Sequence, residues 1–508
     1  MKQLSTIKKY LSYILLVIVV LSMLFLIASI VKSAYFYQYD NDEIYHVQRA
    51  YLIASGIKSY ISFFFVFTDI FHKIIAPIIL FFGLTFATLA KVRVFMIILF
   101  VSRIILTALL IDKVFNRKVA LLFIPILLLD PFTIFSSMQI RPDNLMMTVY
   151  TLGLLIFTVS LIKSSKSLLF LSGAIFGLSF FILLKIVPQL MVLFFVYGIY
   201  CIMNRELKNF VLLLDGFLLT TIIFCLYHLF NGSLILMFKQ VYIISFSLSD
   251  LITPTSRIYY GFFHQPNNGF IYGLMGKPLT WFYAWILPLF AFAGAYLALT
   301  NVVKSKEKIF IKEKNLIKII LIGSLIVQFI FLLSLNTAFI QYYIPFQWLL
   351  ALFTAVIIED LIFNKFTSGI LSILTKTVIF VLFITLCFVS VKANNSRMEF
   401  RSDYQAFQYN YLWSKIPQGK AIFPSFLFRP IVHPVTEGFN NSEDYNGFYA
   451  SIDKKLPSYI YSFGNAKLPY LIIDSPDRFY NLEIGLDKYV KDHYKIIDNK
   501  INLYQRVK

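Results

Sequence analysis

The chain alternates long apolar runs with short polar stretches, and the repetition of this pattern is its dominant feature. A helix of about 20 apolar residues crosses the hydrocarbon core of a bilayer, so each run predicts a membrane span. The first run follows Lys2, Lys8 and Lys9, and it is too long for the core of a signal peptide, which predicts a retained span. The pattern predicts about eleven spans, at residues 11–31, 92–111, 119–136, 145–162, 168–184, 192–203, 211–230, 281–299, 319–335, 343–358 and 378–391.

Basic residues cluster at alternate ends of these runs and predict the orientation of the chain. Loops rich in lysine and arginine stay in the cytoplasm, and the strongest such anchor is the lysine-rich stretch 304–318. The N-terminus is therefore predicted in the cytoplasm and the C-terminus outside. The outer loops are predicted at about residues 32–91, 137–144 and 231–280.

One further apolar stretch, residues 71–90, does not fit this alternation. Pro77 and Gly83 interrupt it, and Lys73 and Lys91 flank it. Counting it as a span would place the basic residues 113–118 outside, against the positive-inside rule. We therefore predict an interfacial or re-entrant helix on the outer face.

Composition supports this membrane class. Hydrophobic residues make up 59% of the chain and the mean hydropathy is +0.75, values that exclude an ordinary soluble globular protein. The net charge of +20 would suggest nucleic acid in a soluble chain, but here it reflects topology, and no nucleic-acid partner is predicted. The three cysteines lie inside apolar runs, so no disulfide framework is implied.

The C-terminal part has a different composition. From about residue 394 the sequence becomes mixed polar and charged, and the remaining chain is long enough to hold its own core. We predict a transmembrane domain over residues 1–393 and a small soluble extracytoplasmic α/β domain over 394–508. Residues 470–474 predict a buried strand, and residues 494–504 predict a hairpin that turns at Asp498-Asn499.

A cluster of acids follows the first span. Asp40, Asp42 and Glu43 precede His46 in the first outer loop. Carboxylates beside a bilayer remain charged only where water, a cation or a hydrogen-bonding substrate meets them. A helix beginning after Asn41 would place Asp42, Glu43 and His46 on one face. The cluster is either a reaction centre at the membrane surface or a solvated loop that flanks a span.

Asp42-Glu43, His46, the run Ala50-Tyr-Leu-Ile-Ala54 and Gly56 resemble the first outer loop of a known family. This family is the polyprenyl-phosphate-dependent glycosyltransferases of the GT-C superfamily, in particular the bacterial branch related to protein O-mannosyltransferases and the lipid A aminoarabinose transferase. The resemblance covers mainly the first 190 or so residues. The chain departs from the family at Tyr60-Ile-Ser-Phe-Phe-Phe, where the family has an acid.

The resemblance implies roles for named residues. Asp42 and Glu43 would be catalytic, with Asp42 as the general base on an acceptor hydroxyl. His46, Asp143 and His264 would orient the acceptor or a cation. The lipid phosphate of the donor would be bound by Arg93, Lys185, Tyr342 and Tyr343.

Most of these residues also have a structural interpretation. Asp143, or Asn144 after it, suits the N-cap of the following helix. Arg93 and Lys185 are placed either to bind phosphate or to extend to the membrane interface. Arg103 differs, because it lies in the middle of a span, where a partner or a functional role is the default.

The two remaining regions are less specific. The long outer loop holds His264 among aromatic and amide residues, which suit sugar binding but are common in membrane loops. Tyr342 and Tyr343 begin a late span, where they line either a donor pocket or an interfacial aromatic belt.

Together these features predict a multi-pass α-helical enzyme of GT-C type in the bacterial cytoplasmic membrane. It would transfer a sugar from a polyprenyl-phosphate donor to a glycan, lipid or protein acceptor, in contact with membrane lipids. A divalent cation is compatible with the acids, although no ligand spacing requires one and no metal ligands are assigned. The alternatives are a transporter or flippase of polyprenyl-linked glycans, and a non-catalytic assembly subunit that binds them. Transporter folds usually show repeated halves and ionisable groups at the midplane, and no repeat is visible here.

Overall fold

The protein was analysed as a computed structural model. The structure describes residues 2–62, 65, 67–83, 85–244, 286–304, 313–334, 340–365, 369–398, 401–416, 422–424, 469–473, 480, 484–500 and 502–507. Two compact units form within the chain. Unit 1 comprises residues 1–37, 96–222 and 252–400, and unit 2 comprises residues 38–95, 223–251 and 401–508.

The described residues are mostly helical. The first six are α1 (Lys2–Phe36), α2 (Asn41–Ala54), α3 (Ile70–Phe82), α4 (Phe86–Val114), α5 (Arg117–Leu128) and α6 (Pro131–Met138). Then come α7 (Pro142–Ile162), α8 (Lys166–Ile182), α9 (Val187–Met203), α10 (Leu207–Phe230) and α11 (Leu234–Phe238). The later helices are α12 (Leu287–Lys304), α13 (Glu313–Ser334), α14 (Ile344–Asp360), α15 (Gly369–Arg397), α16 (Ser402–Lys415) and α17 (Leu486–His493).

Nine helices in the described part of the chain are long and apolar enough to cross a membrane. The protein is therefore an integral, multi-pass membrane protein. These helical segments are Val17–Phe36, Phe86–Val114, Pro142–Ile162, Leu184–Met203, Leu207–Phe230, Leu287–Lys304, Glu313–Ser334, Gln341–Phe363 and Ile370–Arg397.

Two of the eleven predicted spans differ from these helices. The span predicted over residues 119–136 is wrong, because the chain breaks there into α5 and α6. Asp130 lies between the two helices and Pro131 begins α6, and a proline removes a backbone donor and disfavours helix in the residue before it. The span predicted over 168–184 is the 17-residue helix α8. Helix α3 has 13 residues and contains Pro77, and its interfacial placement remains a prediction.

Glycines allow helices of unit 1 to approach closely. A Cβ atom on Gly173 of α8 would lie 2.0 Å from the backbone oxygen of Leu213 in α10, and one on Gly216 of α10 would lie 2.0 Å from that of Phe170. Gly294 of α12 meets α14 in the same way. Inside a membrane the hydrophobic effect does not drive helices together, and small residues such as glycine let helix backbones approach closely enough to pack.

Unit 2 combines helices α2 and α3 with a small sheet. The sheet has the order β1-β2-β4-β3, from β1 (Ile422–Pro424), β2 (Tyr470–Ile472), β3 (Tyr494–Asp498) and β4 (Leu503–Arg506). Strand β2 is fully buried and lies at the predicted position. The predicted hairpin is present as the antiparallel pair β3–β4. The domain boundary at residue 394 remains a prediction.

Candidate functional site

Helix α2 begins with a capping box that uses two of the three acids. Asp40 is the N-cap residue, and its Oδ1 accepts a hydrogen bond from the backbone N–H of Glu43 at 2.8 Å. In return, Oε2 of Glu43 accepts from the backbone N–H of Asp40 at 3.2 Å. This reciprocal pair satisfies two donors that a helix start otherwise leaves open. The helix therefore begins at Asn41, one residue earlier than the start predicted after Asn41.

Glu43 is also the partner of Arg93 in a buried ion pair. The Arg93 Nε donates to Oε1 of Glu43 at 2.7 Å and Nη2 donates to Oε2, while the side chains are 1% and 0% exposed. Nη2 also donates to the backbone oxygen of Gln38 at 2.9 Å, and the guanidinium lies 3.9 Å from the centre of the Tyr39 ring. The planar guanidinium is well suited to such bidentate contacts. This geometry makes Arg93 a residue that holds the start of α2.

Asp42 occupies a different environment from its neighbours. It lies in the first turn of α2 and is exposed, whereas Glu43 and His46 are buried. The three side chains therefore do not share one environment, although the helix that was predicted to align them is present. A carboxylate at a helix N-terminus is stabilised in its charged form by the helix dipole. Asp42 is the acid of this cluster that solvent can reach most readily.

His46 contacts a second histidine that the sequence reasoning did not single out. Its Nδ1 lies 2.9 Å from Nε2 of His72 in α3, so one ring nitrogen donates and the other accepts. Phe65 and Phe71 pack edge-on against His72. Burial in this apolar surrounding lowers the pKa of His72 to about 3, so the ring is neutral at physiological pH. The pair joins α2 to α3.

Asp69 anchors the loop before α3. Its Oδ2 accepts from Ser59 Oγ at 2.9 Å and pairs with Lys73 Nζ at 2.8 Å, and its Oδ1 lies 3.5 Å from Nε2 of His228. Burial acts to raise the pKa of Asp69, but the His228 ring and the Lys73 ammonium outweigh it and lower that pKa to about 2.

The sequence contained a signal for some of the contacts around Asp69. Asp69 and Lys73 are four residues apart, and His72 lies three residues after Asp69, spacings that place side chains on one helix face. The amide of Gln240 bridges the same loop, by accepting from the Phe65 N–H and donating to the Tyr60 oxygen, each at 2.9 Å. Nothing local in the sequence predicts that Gln240 would return to this loop.

Unit 1 contains the other group of predicted site residues. Asp143 lies in the first turn of α7, and its Oδ1 accepts from Lys185 Nζ at 2.7 Å. Lys185 also lies 4.1 Å from the centre of the Tyr342 ring. The interpretation of Asp143 or Asn144 as an N-cap is wrong, because Arg141 holds that position without a side-chain cap. Asn144 instead donates to the backbone oxygen of Met96 at 3.0 Å.

The last two predicted site residues are Tyr343 and His264. The Tyr343 hydroxyl is buried at the start of α14. His264 lies outside the described residues. Among the residues that the structure describes, no three His, Cys, Asp or Glu side chains are arranged to hold a metal ion.

The fold is similar to two solved membrane enzymes. ArnT from Cupriavidus metallidurans, in a crystal structure bound to undecaprenyl phosphate, matches with a TM-score of 0.56 at 12% identity over 96% of this chain and 97% of that chain. The oligosaccharyltransferase of Archaeoglobus fulgidus in its apo form matches with a TM-score of 0.52 at 13% identity over 98% of this chain and 75% of that one. The chain has the GT-C fold.

A second structure of the Archaeoglobus enzyme, in complex with Zn and sulfate, gives a TM-score of 0.53 at 13% identity, over 96% of this chain and 73% of that one. No family model matches the sequence, and no curated protein matches it. At these identities the similarity establishes the GT-C fold, and the chemistry has to be argued from the residues of this chain.

Proposed function

We propose that this protein is a glycosyltransferase that moves a sugar from a polyprenyl-phosphate carrier to a lipid, glycan or protein acceptor. The GT-C fold and the nine apolar helices support a membrane enzyme that uses a lipid-linked donor. The observation that carries the proposal is the start of α2. Asp40 caps the helix and Glu43 pairs with Arg93 away from solvent, whereas Asp42, in the first turn, is exposed to solvent and can meet a substrate.

In the proposed reaction, the acceptor hydroxyl attacks the anomeric carbon of the donor sugar. The new carbon–oxygen bond forms as the bond between that carbon and the phosphate oxygen breaks, which inverts the configuration. Asp42 accepts the hydroxyl proton as general base. The polyprenyl phosphate leaves with the electron pair, and cationic donors stabilise its charge.

The other residues have supporting roles in this proposal. Glu43 positions Asp42 through the cap and through Arg93, which is paired too completely to bind the phosphate as well. Lys185, flanked by Tyr342, binds the lipid phosphate. The acceptor or a divalent cation is oriented by His46, Asp143 and His264. Tyr343 lines the donor site.

The test compares two matched variants of the purified protein. Asp42→Asn keeps shape and hydrogen bonding but cannot accept a proton, so transfer to the acceptor should fall by about 10²–10⁴-fold while donor binding persists. Asp40→Asn is the control, because asparagine caps a helix as well as aspartate does, and its activity should remain close to wild type. Normal turnover in Asp42→Asn with collapse in Asp40→Asn would move the base to Asp40.

The same assay separates transfer from transport. A transferase forms a new glycosidic bond, which mass spectrometry of the acceptor detects, whereas a flippase moves the intact lipid-linked sugar between leaflets. We place the reaction at the outer face of the bacterial cytoplasmic membrane, because the acids of α2 follow the first span and the basic anchors lie at the opposite ends.

A further inference from the structure

The three residues before α2 form no regular secondary structure. Gln38, Tyr39 and Asp40 lie between the end of α1 and the start of α2, so no helix or strand provides partners for all their backbone N–H and C=O groups. Tyr39 is only 3% exposed, and buried backbone groups are almost always hydrogen-bonded. The partners of this segment therefore have to come from elsewhere in the chain.

Gln405 provides two of these partners from a distant part of the sequence. It lies in α16, and its Oε1 accepts from the backbone N–H of Tyr39 at 2.7 Å, while its Nε2 donates to the backbone oxygen of Tyr39 at 2.7 Å. Both distances are at the short end of the range for such hydrogen bonds. Because a backbone N–H can only donate and a carbonyl can only accept, the two contacts fix the orientation of the Gln405 amide.

The two contacts of Gln405 involve two consecutive peptide groups. In the peptide group before Tyr39, the oxygen accepts from Nη2 of Arg93 at 2.9 Å and the N–H donates to Gln405. In the peptide group after Tyr39, the oxygen accepts from Gln405 and the N–H donates to Oε2 of Glu43 at 3.2 Å. All four polar atoms are thus bonded to side chains, and Gln405 contributes to both peptide groups.

Holding these two peptide groups holds the backbone of Tyr39. Peptide groups are planar, so a chain turns only by rotation about the φ and ψ bonds between them, and hydrogen bonds on both sides of Tyr39 oppose that rotation. Its ring is held as well, because the Arg93 guanidinium lies 3.9 Å from the ring centre and Phe86 packs edge-on against it. Asp42 follows three residues later, in the first turn of α2. The contact between α16 and Tyr39 therefore influences the direction of the Asp42 carboxylate.

We propose that Gln405 is a positioning residue for sugar transfer, which acts through the backbone of Tyr39 to hold the Asp42 carboxylate in its reactive direction. This inference rests on the proposed function and gives the C-terminal segment a role in it, since residues 401–508 and 38–95 belong to the same compact unit. A general base has to lie within hydrogen-bonding reach of the proton that it accepts. Displacing a reacting group by about 1 Å costs about 10²-fold in rate.

The first experiment separates positioning from stability in the purified full chain in detergent. Gln405→Leu removes both hydrogen bonds, so turnover per folded molecule should fall by about 10–10²-fold, while the affinity for a polyprenyl-phosphate sugar should not change. The control is Asn410→Leu, because Asn410 is exposed on the same helix, and its turnover should equal that of the wild type. Wild-type turnover per folded molecule in Gln405→Leu would overturn the proposal, even with a lower thermal unfolding midpoint.

A second variant keeps the proposal testable if Gln405→Leu does not fold. A protonated carboxyl has one donor and one acceptor, as the amide has, whereas a carboxylate can only accept and cannot bond the Tyr39 oxygen. The turnover of Gln405→Glu, divided by that of the wild type at the same pH, should therefore rise as the pH falls from about 8 to about 5, toward the ordinary glutamate pKa of about 4.3. Asp40, Glu43 and Arg93, the charged groups around Tyr39, are present in both proteins. A ratio that does not change with pH would overturn the proposal.

Hydrogen exchange provides a readout that does not depend on catalysis. The backbone N–H groups of Tyr39, Asp40 and Glu43 donate to side chains, so a peptide that contains them should exchange faster in Gln405→Leu than in the wild type or in Asn410→Leu. Faster exchange with wild-type turnover would show that Gln405 holds this segment without positioning the base, which would overturn the proposal. Faster exchange in Gln405→Leu, with no sugar transfer by the wild type, would support the hold on the start of α2 and refute the glycosyltransferase proposal instead.

Discussion

The Glu43–Arg93 pair provides the sharpest test of how unit 2 holds its candidate base. Arg93→Met keeps the length of the side chain but leaves the Glu43 carboxylate charged and buried, with 0% exposure. Removing one partner of a buried ion pair costs about 3–5 kcal/mol, since the other charge loses its compensation. The free energy of unfolding should therefore fall by about that amount in Arg93→Met, and comparably in Glu43→Gln.

The double variant separates pairing from packing. Glu43→Gln with Arg93→Met removes both charges and keeps an oxygen for the Asp40 cap, so its cost should be smaller than the sum of the two single costs by about 0.5–3 kcal/mol. The assay is reversible unfolding in mixed micelles, followed by helical circular dichroism. The matched control is the surface pair Arg401–Asp403, which is 51% and 65% exposed, and Arg401→Met should cost at most about 1 kcal/mol.

One result would refute this reasoning. The resemblance to the GT-C family implied that Arg93 binds the donor phosphate, and in that case Arg93→Met would leave stability near wild type and weaken polyprenyl phosphate binding. Loss of stability with retained affinity for polyprenyl phosphate in the folded fraction is the expected result. The two interpretations thus give opposite results in the two measurements.

Three further predictions concern other parts of the chain. Burial depresses the pKa of His72 to about 3, from an unfolded value near 6.5. The stability that the neutral ring contributes is therefore complete above pH 6.5 and is lost as the pH falls. In pH-dependent unfolding, the free energy of unfolding of the wild type should fall by about 1 kcal/mol more than that of His72→Gln between pH 6.5 and 5.5. Gly173→Ala should lower the thermal unfolding midpoint, because the new Cβ would lie 2.0 Å from a backbone oxygen, whereas Gly198→Ala, with 3.4 Å contacts, should be tolerated; equal midpoints would contradict this. A reporter active only outside the cytoplasm should be silent after Lys166 and active after Ile57, and the reverse would overturn the topology.

Local patterns in the sequence were sufficient for much of the fold. Apolar runs of about 20 residues predicted the long helices, because in a bilayer the length and apolarity of a helix alone decide whether it can cross. The polar stretch at Asn41 predicted the start of α2 to within one residue, and alternation with a turn predicted the β3–β4 hairpin. Pro131 marked the break after Asp130, but the high hydropathy of the surrounding run favoured the prediction of one continuous span.

What the sequence determined by itself was the membrane class, the helical segments and the acidic start of α2, since each depends on neighbours within a few residues. Tertiary structure decided which charges meet. Arg93 is fifty residues from Glu43 and Lys185 is forty-two from Asp143, separations at which no local pattern predicts the carboxylate that each basic residue meets. Burial makes such pairing obligatory, because an uncompensated charge costs several kcal/mol, and only the fold determines which carboxylate provides it.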